Sequence, residues 1–360
     1  MRSGAADSKM VRMRALTVTP GKKDSLRLSQ DFGEPDEREG ALLVEAVAVG
    51  VCGTDREIIA ADYGEAPPGK ETLVLGHESL GRVIEDTTGH LEFGDLVAGI
   101  VRHPDPVPCA NCAAGEWDMC RNGQYTEHGI KGLDGFARDR WRIEPEYAIK
   151  LDRSLGMLGV LLEPTSVVAK AWELIDRFTE RDPWQPENVL VTGAGPIGLL
   201  AALLGRQRGL EVHVLDRADD GPKPQLTHDL GATYHNKPLD ELGFTPDLVL
   251  ECTGAPSLVF GVMDAVGPCG VVCLTGVSTG GHQIPVDGGA LNRALVLENN
   301  VVFGSVNANA RHWKAGADAL AKADKKWLGR LITRRVPVDD YTEAYAVRDG
   351  DIKVVVEFSA

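Results

Sequence analysis

Four residues near the ends of predicted strands and helices have side chains of the types that can bind zinc. Cys52 and His77 each follow an apolar strand, so neighbouring strand ends deliver a thiol and an imidazole, both of which are zinc ligands. Glu163, where a predicted helix begins, is the candidate third ligand. Glu78 is placed to bind the metal directly or to support another ligand. Three protein ligands with an open position are typical of catalytic zinc. The alternative is a packed histidine beside a small buried cysteine.

A second group of thiols lies in residues 102–135, which show no clear helix or strand pattern. Long irregular segments of this kind are usually functional or metal-bound. The thiols have the spacing C-x2-C-x7-C and belong to Cys109, Cys112 and Cys120. Because a structural zinc normally has four ligands, a fourth is needed; Asp105 is the better candidate and His103 the poorer one. The alternative is a loop that binds no metal.

A glycine-rich turn predicts a dinucleotide-binding site. Residues 193–198 read GxGxxG, follow a predicted strand and begin a predicted helix. The glycines allow a tight turn, close approach of the backbone to the pyrophosphate, and close packing of helix on strand. The helix N-terminus faces the phosphates. The expected phosphate-binding residues are Gly193, Gly195, Pro196, Ile197 and Gly198. A glycine-rich turn without a ligand is the alternative.

Residues after the next two strands bear on the choice of cofactor. Asp216 is placed to accept hydrogen bonds from the adenosine ribose, and its charge repels a 2′-phosphate, which favours NAD+. Arg217, with Lys223 close by, weakens that preference. Thr253 is a further expected cofactor contact. We therefore expect NAD(P)+ as cofactor, with a preference for NAD+.

The predicted elements that position these groups change in type along the 360 residues. Up to residue 150 short strands alternate with Gly/Pro turns, whereas from Asn188 strands alternate with helices, which predicts a parallel, doubly wound sheet. A helix over 162–178 precedes the change, and a helix over 315–331 and a strand over 352–358 follow the sheet. The fold class is therefore α/β, with a β-rich catalytic part and a Rossmann nucleotide-binding part.

Composition and charge exclude several classes of partner. Acidic residues outnumber basic ones, 53 to 38, and the formal net charge of −15 disfavours nonspecific binding to nucleic acid or an anionic membrane. No apolar run reaches the roughly 18 residues of a membrane-spanning helix. Met1–Leu16 lacks the apolar stretch of a secretory signal. The seven cysteines cannot all pair with one another, and we expect a reducing, cytoplasmic location.

Several segments, in this order, resemble those of the zinc-dependent medium-chain dehydrogenase/reductase superfamily. They are VCGTD (51–55), GHESLGRV (76–83), GDLVAGIV (94–101), the three-cysteine spacing, EPTSVVAKAW (163–172), VTGAGPIG (191–198) and IKVVVEF (352–358). A narrower resemblance is to the glucose 1-dehydrogenase branch. It is carried by CGTDREI (52–58), YTEHGIKGLDG (125–135), LLEPTSVVAKA (161–171) and VNANARHW (306–313).

The resemblance implies a domain organisation and a set of site residues. The implied domains are a GroES-like catalytic domain over 10–185, a Rossmann domain over 186–310, and a C-terminal segment over 311–360 that rejoins the catalytic domain. The implied catalytic-zinc ligands are Cys52, His77 and Glu163, with Glu78 exchanging in and out. The implied sugar-binding residues are Thr54, Glu127, Glu163 and Asn307, the last also near the nicotinamide. Pro106 stands where the superfamily usually has a fourth structural-zinc cysteine.

These features predict an enzyme that oxidises an aldose, D-glucose at C1 above all, by zinc-assisted hydride transfer to NAD(P)+. Thr54 or a water held by Glu163 could relay the proton. Glu127 suits a pair of vicinal hydroxyls, because buried hydroxyls need hydrogen-bond partners. The alternatives are a zinc polyol, alcohol or amino-alcohol dehydrogenase and, more distantly, a non-catalytic dinucleotide-binding redox sensor. The resemblance also implies a homodimer or homotetramer.

Overall fold

The computed structural model describes residues 12–181, 183–278, 280–281 and 283–359. The predicted leader, Met1–Lys9, and the first two residues of the predicted catalytic domain lie outside these residues. The described chain forms four sheets, one of which is the parallel sheet expected from Asn188 onward. None of the described helices has the length and apolar character needed to cross a membrane.

Valine-rich segments separated by glycine turns form a β-rich half. Its strands are β1 (Met13–Val18), β2 (Arg27–Phe32), β3 (Leu42–Val51), β4 (Leu73–Val74), β5 (Glu78–Asp86), β6 (Leu96–Gly99), β7 (Arg102–His103), β8 (Thr126–His128), β9 (Gly132–Leu133), β10 (Arg140–Ile143) and β11 (Ala148–Lys150). Its helices are α1 (Gly53–Ile59), α2 (Ala110–Ala113) and α3 (Leu162–Thr179). β3 lies inside the largest sheet, beside β5, and its last four residues are buried, so the chain leaves the core where Cys52 begins.

The segment 102–135 is not wholly irregular, so that expectation is wrong in part. It contains α2 and a small sheet with the order β7-β8-β9. These strands have two or three residues, which is too short for an alternating pattern to be visible in the sequence. The small sheet brings Glu127 next to Arg102 by direct antiparallel pairing.

Alternating strands and helices form the nucleotide-binding half. Its strands are β12 (Asn188–Thr192), β13 (Glu211–Leu215), β14 (Thr233–His235), β15 (Leu248–Glu251), β16 (Val271–Leu274) and β17 (Val301–Gly304). Its helices are α4 (Pro196–Gln207), α5 (Pro222–Asp229), α6 (Pro256–Ala265) and α7 (Gly288–Leu297). All strand pairs are parallel, in the order β14-β13-β12-β15-β16-β17. This is the Rossmann order, with the cofactor crevice expected where the strand order reverses, beside β12.

The C-terminal segment returns to the β-rich half. Its elements are α8 (Ala310–Lys322), α9 (Lys325–Leu331), β18 (Ile332–Pro337), α10 (Tyr341–Tyr345) and β19 (Lys353–Glu357). β19 pairs antiparallel with the end of β3, with Val354 opposite Val51. The single helix predicted over 315–331 is two helices, because Ala323 is extended and the Asp324 side chain caps the second one at the Lys326 amide.

Helix α3 joins the two halves. It packs against α4 and α8, and the fully buried Trp172 donates a hydrogen bond from Nε1 to the Ala201 carbonyl at 3.2 Å. Buried apolar residues of both halves form one continuous cluster. Glu163, in the first turn of α3, is therefore held at the junction between the halves.

Candidate active site

One buried carboxylate positions both residues that the sequence assigns to zinc at the strand ends. Asp55, in the first turn of α1, accepts a hydrogen bond from the Cys52 amide through Oδ2 at 2.8 Å. Its other oxygen, Oδ1, lies 3.3 Å from His77 Nδ1. A carboxylate at Nδ1 orients the imidazole ring and leaves Nε2 for a metal. Sequence reasoning gave Asp55 no role, although it lies in the same motif as Cys52.

His77 is buried in an anionic environment. Burial lowers the pKa of His77, but Asp55 and Cys52 raise it more, so the net pKa is well above the usual value. Positive charge is therefore favoured at this position when the pocket holds protein groups alone. A bound Zn2+ supplies that charge to the same donors.

Glu78 is held by a buried lysine from the end of the described chain. Lys353 Nζ, on β19, lies 2.6 Å from both Glu78 carboxylate oxygens and 3.2 Å from the Val51 carbonyl. Both side chains are almost fully buried. Burial lowers the pKa of Lys353, but Glu78 and Cys52 raise it more, so the ammonium stays charged. Sequence reasoning missed Lys353; the available signal is a charged residue beginning the apolar strand VVV.

The donor set fits zinc. Ligand atoms of Cys52, His77 and Glu78 all lie within 4.8 Å of one another. A thiol, an imidazole and a carboxylate are the ligand types found at zinc sites. Glu163, the expected third ligand, lies outside that group but faces it: burial and Glu78 raise its pKa to about 7, against the opposing charge of His77. Thr54 is partly buried in the first turn of α1.

Two of the predicted sugar-binding residues, Glu127 and Asn307, meet across the halves. Asn307 Nδ2 donates to Glu127 Oε1 at 2.9 Å, and Arg102 Nε donates to the same oxygen at 2.9 Å. Glu127 and Arg102 are buried. Oε1 is thus engaged by two donors, which leaves Oε2 for another partner. Arg102 is a third residue of the site that sequence reasoning missed, because its role depends on Asn307 and Glu127 coming together.

The Glu127 segment packs directly against the turn that carries His77. Gly76 has φ +87°, and a Cβ there would lie 2.7 Å from Val49. A Cβ at Gly129 would lie 2.6 Å from the Gly76 carbonyl oxygen. These close approaches require glycine on both sides and bring the metal-binding turn against the chain just after Glu127.

The glycine-rich turn has the geometry that a pyrophosphate needs. Gly193 has φ +90°, and a Cβ at Gly198 would lie 1.8 Å from the Gly193 carbonyl oxygen. A Cβ at Gly195 would meet no atom within 4 Å, so the space beside this residue is open to a phosphate. Pro196 and Ile197 begin α4, whose N-terminus points its free amides at that space. The residues present therefore fit a dinucleotide.

Asp216 is paired with a cation. Its Oδ2 accepts from the Ala194 amide at 2.7 Å, and Lys223 Nζ lies 3.2 Å from both carboxylate oxygens. Burial raises the pKa of Asp216, but the amide and Lys223 lower it more. Arg217 is exposed beside it. Thr253 lies against the glycine turn, since a Cβ at Gly193 would come 2.9 Å from its methyl group.

The three-cysteine segment brings its thiols together, and within the part of the chain that the structure describes no fourth ligand joins them. The sulfur atoms of Cys109, Cys112 and Cys120 lie within 4.8 Å of one another. The Asp105 carboxylate instead accepts from the Val107 amide at 2.8 Å and from the Asn122 side chain. His103 stacks on Tyr147, with ring centroids 3.9 Å apart, and burial lowers its pKa to about 2. Three thiols suit zinc, but neither predicted fourth ligand joins them here.

Comparison with known proteins gives full-length matches. Residues 38–153 match the alcohol dehydrogenase GroES-like domain, and residues 156–358 match the family described as glucose dehydrogenase C-terminus. The chain is 39% identical to glucose 1-dehydrogenase of Methanocella arvoryzae, over 97% of this chain and 100% of that one. It is 41% identical to glucose 1-dehydrogenase of Thermoproteus tenax, over 96% and 99%.

Solved structures give the same result. Haloferax mediterranei glucose dehydrogenase, in complex with NADP, Zn and gluconolactone, superposes with a TM-score of 0.88 at 32% identity, over 96% of this chain and 99% of that one. An alcohol dehydrogenase from Thermotoga maritima, at 22% identity, has a TM-score of 0.80 over 96% of this chain and 99% of that one. The second match shows the shared fold alone.

Proposed function

Because this chain belongs to the glucose 1-dehydrogenase family of zinc-dependent medium-chain dehydrogenases, we propose that it oxidises D-glucose at C1 to gluconolactone and reduces NAD(P)+. One observation carries the choice of substrate: the buried Glu127 is shared by Asn307 and Arg102 beside the turn that carries His77. A simple alcohol has no further hydroxyls to donate to a second carboxylate held this way, whereas a sugar presents vicinal hydroxyls that need an acceptor.

Cys52, His77 and a carboxylate from Glu163, with Glu78 as the exchanging ligand, would hold the zinc. When bound, Zn2+ acts as a Lewis acid at the hydroxyl oxygen of the substrate. Asp55 orients His77, and Lys353 balances the charge of Glu78. The second zinc, at the three cysteines, stays a prediction; comparing the zinc content of Cys52→Ala and Cys112→Ala with that of the parent protein tests both sites.

The chain's own residues bind and orient the sugar. Glu127 Oε2 accepts hydrogen bonds from two adjacent hydroxyls, because Oε1 is already occupied. Asn307 contacts Glu127, and the family resemblance implies that it also lies near the nicotinamide. Thr54, or a water held by Glu163, would relay the proton that leaves the substrate hydroxyl.

The expected preference for NAD+ is not supported, and we propose that NADP+ is accepted. The Haloferax relative is in complex with NADP. In this chain, the expected repulsion between Asp216 and a 2′-phosphate is reduced because Lys223 balances the carboxylate, and the exposed Arg217 offers a second cation. The sequence places Lys223 near Asp216 but does not show that the two side chains form an ion pair.

The deciding experiment measures glucose-dependent reduction of NADP+ and NAD+ by the zinc-loaded protein. We expect oxidation of glucose with both cofactors and release of the lactone. Rapid oxidation of simple alcohols or polyols without a response to any aldose would overturn the sugar assignment and favour the alcohol or polyol alternative. Zinc-loaded protein without activity on either class would favour the redox-sensor alternative.

We propose a homo-oligomer that uses the β17 edge of the nucleotide sheet. β17 is an edge strand, and in α7, beside it in the chain, Val296 and Leu297 are 64% and 62% exposed. Apolar surface of this kind favours a second copy of the chain. Leu297→Glu should lower the mass measured by analytical ultracentrifugation, whereas Val347→Glu, an exposed valine in the other half, should not. An unchanged mass for Leu297→Glu would remove this surface from the interface. The cytoplasmic location stays a prediction.

A further inference from the structure

We propose that Asp118 is a positioning residue for sugar binding, because it fixes Glu127 and Asn307 from a single point. The inference rests on the proposed function, in which these two side chains hold the sugar. Asp118 lies in the turn Trp117–Met119, just before Cys120, and is buried. No motif in the sequence singles it out.

The first connection runs from the Asp118 backbone to Glu127. The Asp118 carbonyl accepts a hydrogen bond from Arg102 Nη1 at 3.1 Å, while Arg102 Nε donates to Glu127 Oε1 at 2.9 Å. The Arg102 guanidinium also lies over the Tyr125 ring, 3.7 Å from its centroid. A planar guanidinium held on three sides has one orientation, so Asp118 helps to fix where the Glu127 carboxylate lies.

The second connection runs from the Asp118 side chain to the segment 306–309. Lys170 Nζ lies 2.7 Å from Asp118 Oδ2 and donates to the Val306 carbonyl at 3.0 Å. Asn309 Nδ2 donates to Asp118 Oδ1 at 3.0 Å. Asp118 therefore holds both ends of the segment that contains Asn307.

The held segment is strained at its functional residue. Asn307 has φ +61°, a left-handed conformation that is sparsely populated by residues other than glycine. Such a conformation persists only where neighbours fix it. Asn307 Nδ2 then contacts Glu127 at 2.9 Å, which closes a ring of contacts through Arg102 and Asp118.

The ring is built from buried charges, which favours a positional role over a stabilising one. Arg102 and Lys170 balance Asp118 and Glu127, and all four side chains are buried. Replacing a buried ion pair by apolar residues is often neutral or stabilising, so stability alone does not explain the four charges. The contacts instead define where two sugar-binding groups lie relative to each other.

The test is Asp118→Asn in the full chain, loaded with zinc and assayed with NADP+. The amide keeps the backbone contact to Arg102 but no longer pairs with the Lys170 ammonium. We expect the KM for glucose to rise about tenfold, with the Kd for NADP+ and the zinc content unchanged. Lys170→Met should raise the glucose KM similarly. Lys170→Arg keeps the positive charge, so its glucose KM should lie between those of the parent protein and Lys170→Met. Lys170→Met also serves if Asp118→Asn fails to fold.

Asp95→Asn is the matched control. Asp95 is equally buried and is paired with Lys150 and Arg153, away from the sugar-binding residues. It should lower the melting temperature without changing the glucose KM. An unchanged glucose KM in Asp118→Asn or Lys170→Met, or an equal rise in Asp95→Asn, would overturn the inference. A parent protein that oxidises no glucose would overturn the proposed function itself, and that result is read before any variant is made.

Discussion

Glu127 is the side chain on which the proposed choice of substrate depends. Its carboxylate has one oxygen bound to two donors and the other oxygen left for a ligand. Glu127→Gln keeps the shape but removes the charge that balances Arg102, so we expect kcat/KM for glucose to fall about 100-fold, or about 3 kcal/mol. The Kd for NADP+ should stay unchanged.

Steady-state kinetics with glucose, together with cofactor titration, check this expectation. Glu92→Gln is the control, because Glu92 is exposed in the same half of the molecule. An equal fall in kcat/KM for glucose in both variants, or a weaker affinity for NADP+ in Glu127→Gln, would show that the Glu127 carboxylate does not act by binding the sugar.

Lys353 gives a second prediction at the residue scale. Lys353→Met leaves the buried Glu78 carboxylate without its cation, and we expect the metal-free protein to lose about 3–5 kcal/mol of unfolding free energy. The zinc-loaded protein should lose less, because the metal supplies positive charge. Denaturant unfolding with and without zinc measures both values.

The adjacent strand provides the control for Lys353. Arg335 on β18 pairs with Glu357 but is 56% exposed, so Arg335→Met should cost less than about 1 kcal/mol. Equal losses from Arg335→Met and Lys353→Met would contradict the proposed dependence of Glu78 on a buried cation.

The sequence identified the zinc-binding types of residue at the strand ends, but it did not identify the residues that contact them in the fold. Cys52 and His77 lie in short motifs, and their chemistry is local. Lys353 and Glu78 are 275 residues apart, so nothing in the sequence around either one predicts their contact. The sequence likewise does not reveal the role of Arg102, because that role depends on the contact between Glu127 and Asn307 in the folded chain.

At the scale of elements, α5 carries the residue that we expect to modify cofactor choice. Lys223, in the first turn of α5, balances Asp216 at the end of β13. Lys223→Ala removes that balance, so the KM for NADP+ should rise about tenfold while the KM for NAD+ changes little. Lys237→Ala, an exposed lysine in the same half, is the control. A similar rise for both cofactors would show that Lys223 does not act at the 2′-phosphate.

Element prediction succeeded where the structure is local. The nucleotide half alternates strand, turn and helix, so its parallel sheet was expected from Asn188 onward and is confirmed. The β-rich half depends on pairing between distant strands, and strands as short as β7–β9 carry no pattern. The single helix expected over 315–331 is two helices, because the Asp324 side chain caps the start of a second one. Apolar periodicity does not reveal such a cap.

For the whole molecule, buried histidines set a limit on stability in acid. Burial, with the charge of Arg138, lowers the pKa of His128 to about 4 in the folded chain. The unfolded chain then takes up a proton near pH 6.5, where the folded chain does not. The His128 contribution to the unfolding free energy should therefore fall as the pH drops from about 6.5 to about 4, by up to about 1.4 kcal/mol per pH unit, and stay constant below that.

Denaturant unfolding at several pH values measures this slope. His128→Asn should make the slope shallower, whereas His90→Asn, at an exposed position, should leave it unchanged. A slope that is the same in the parent protein and in His128→Asn would mean that another group takes up the proton. His103, whose pKa is lowered to about 2, acts in the same direction.

The pairing of β19 with β3 has a consequence for the order of synthesis. Lys353 leaves the ribosome 275 residues after Glu78. Throughout that interval the emerging chain has a β3 edge without β19, and a carboxylate without its cation. The nucleotide half is synthesised and can fold in the meantime, because domains generally fold as units as they emerge. We therefore expect a chain that stops before β19 to fold its nucleotide half, but to leave Glu78 without its cation and β3 without a neighbour on that side.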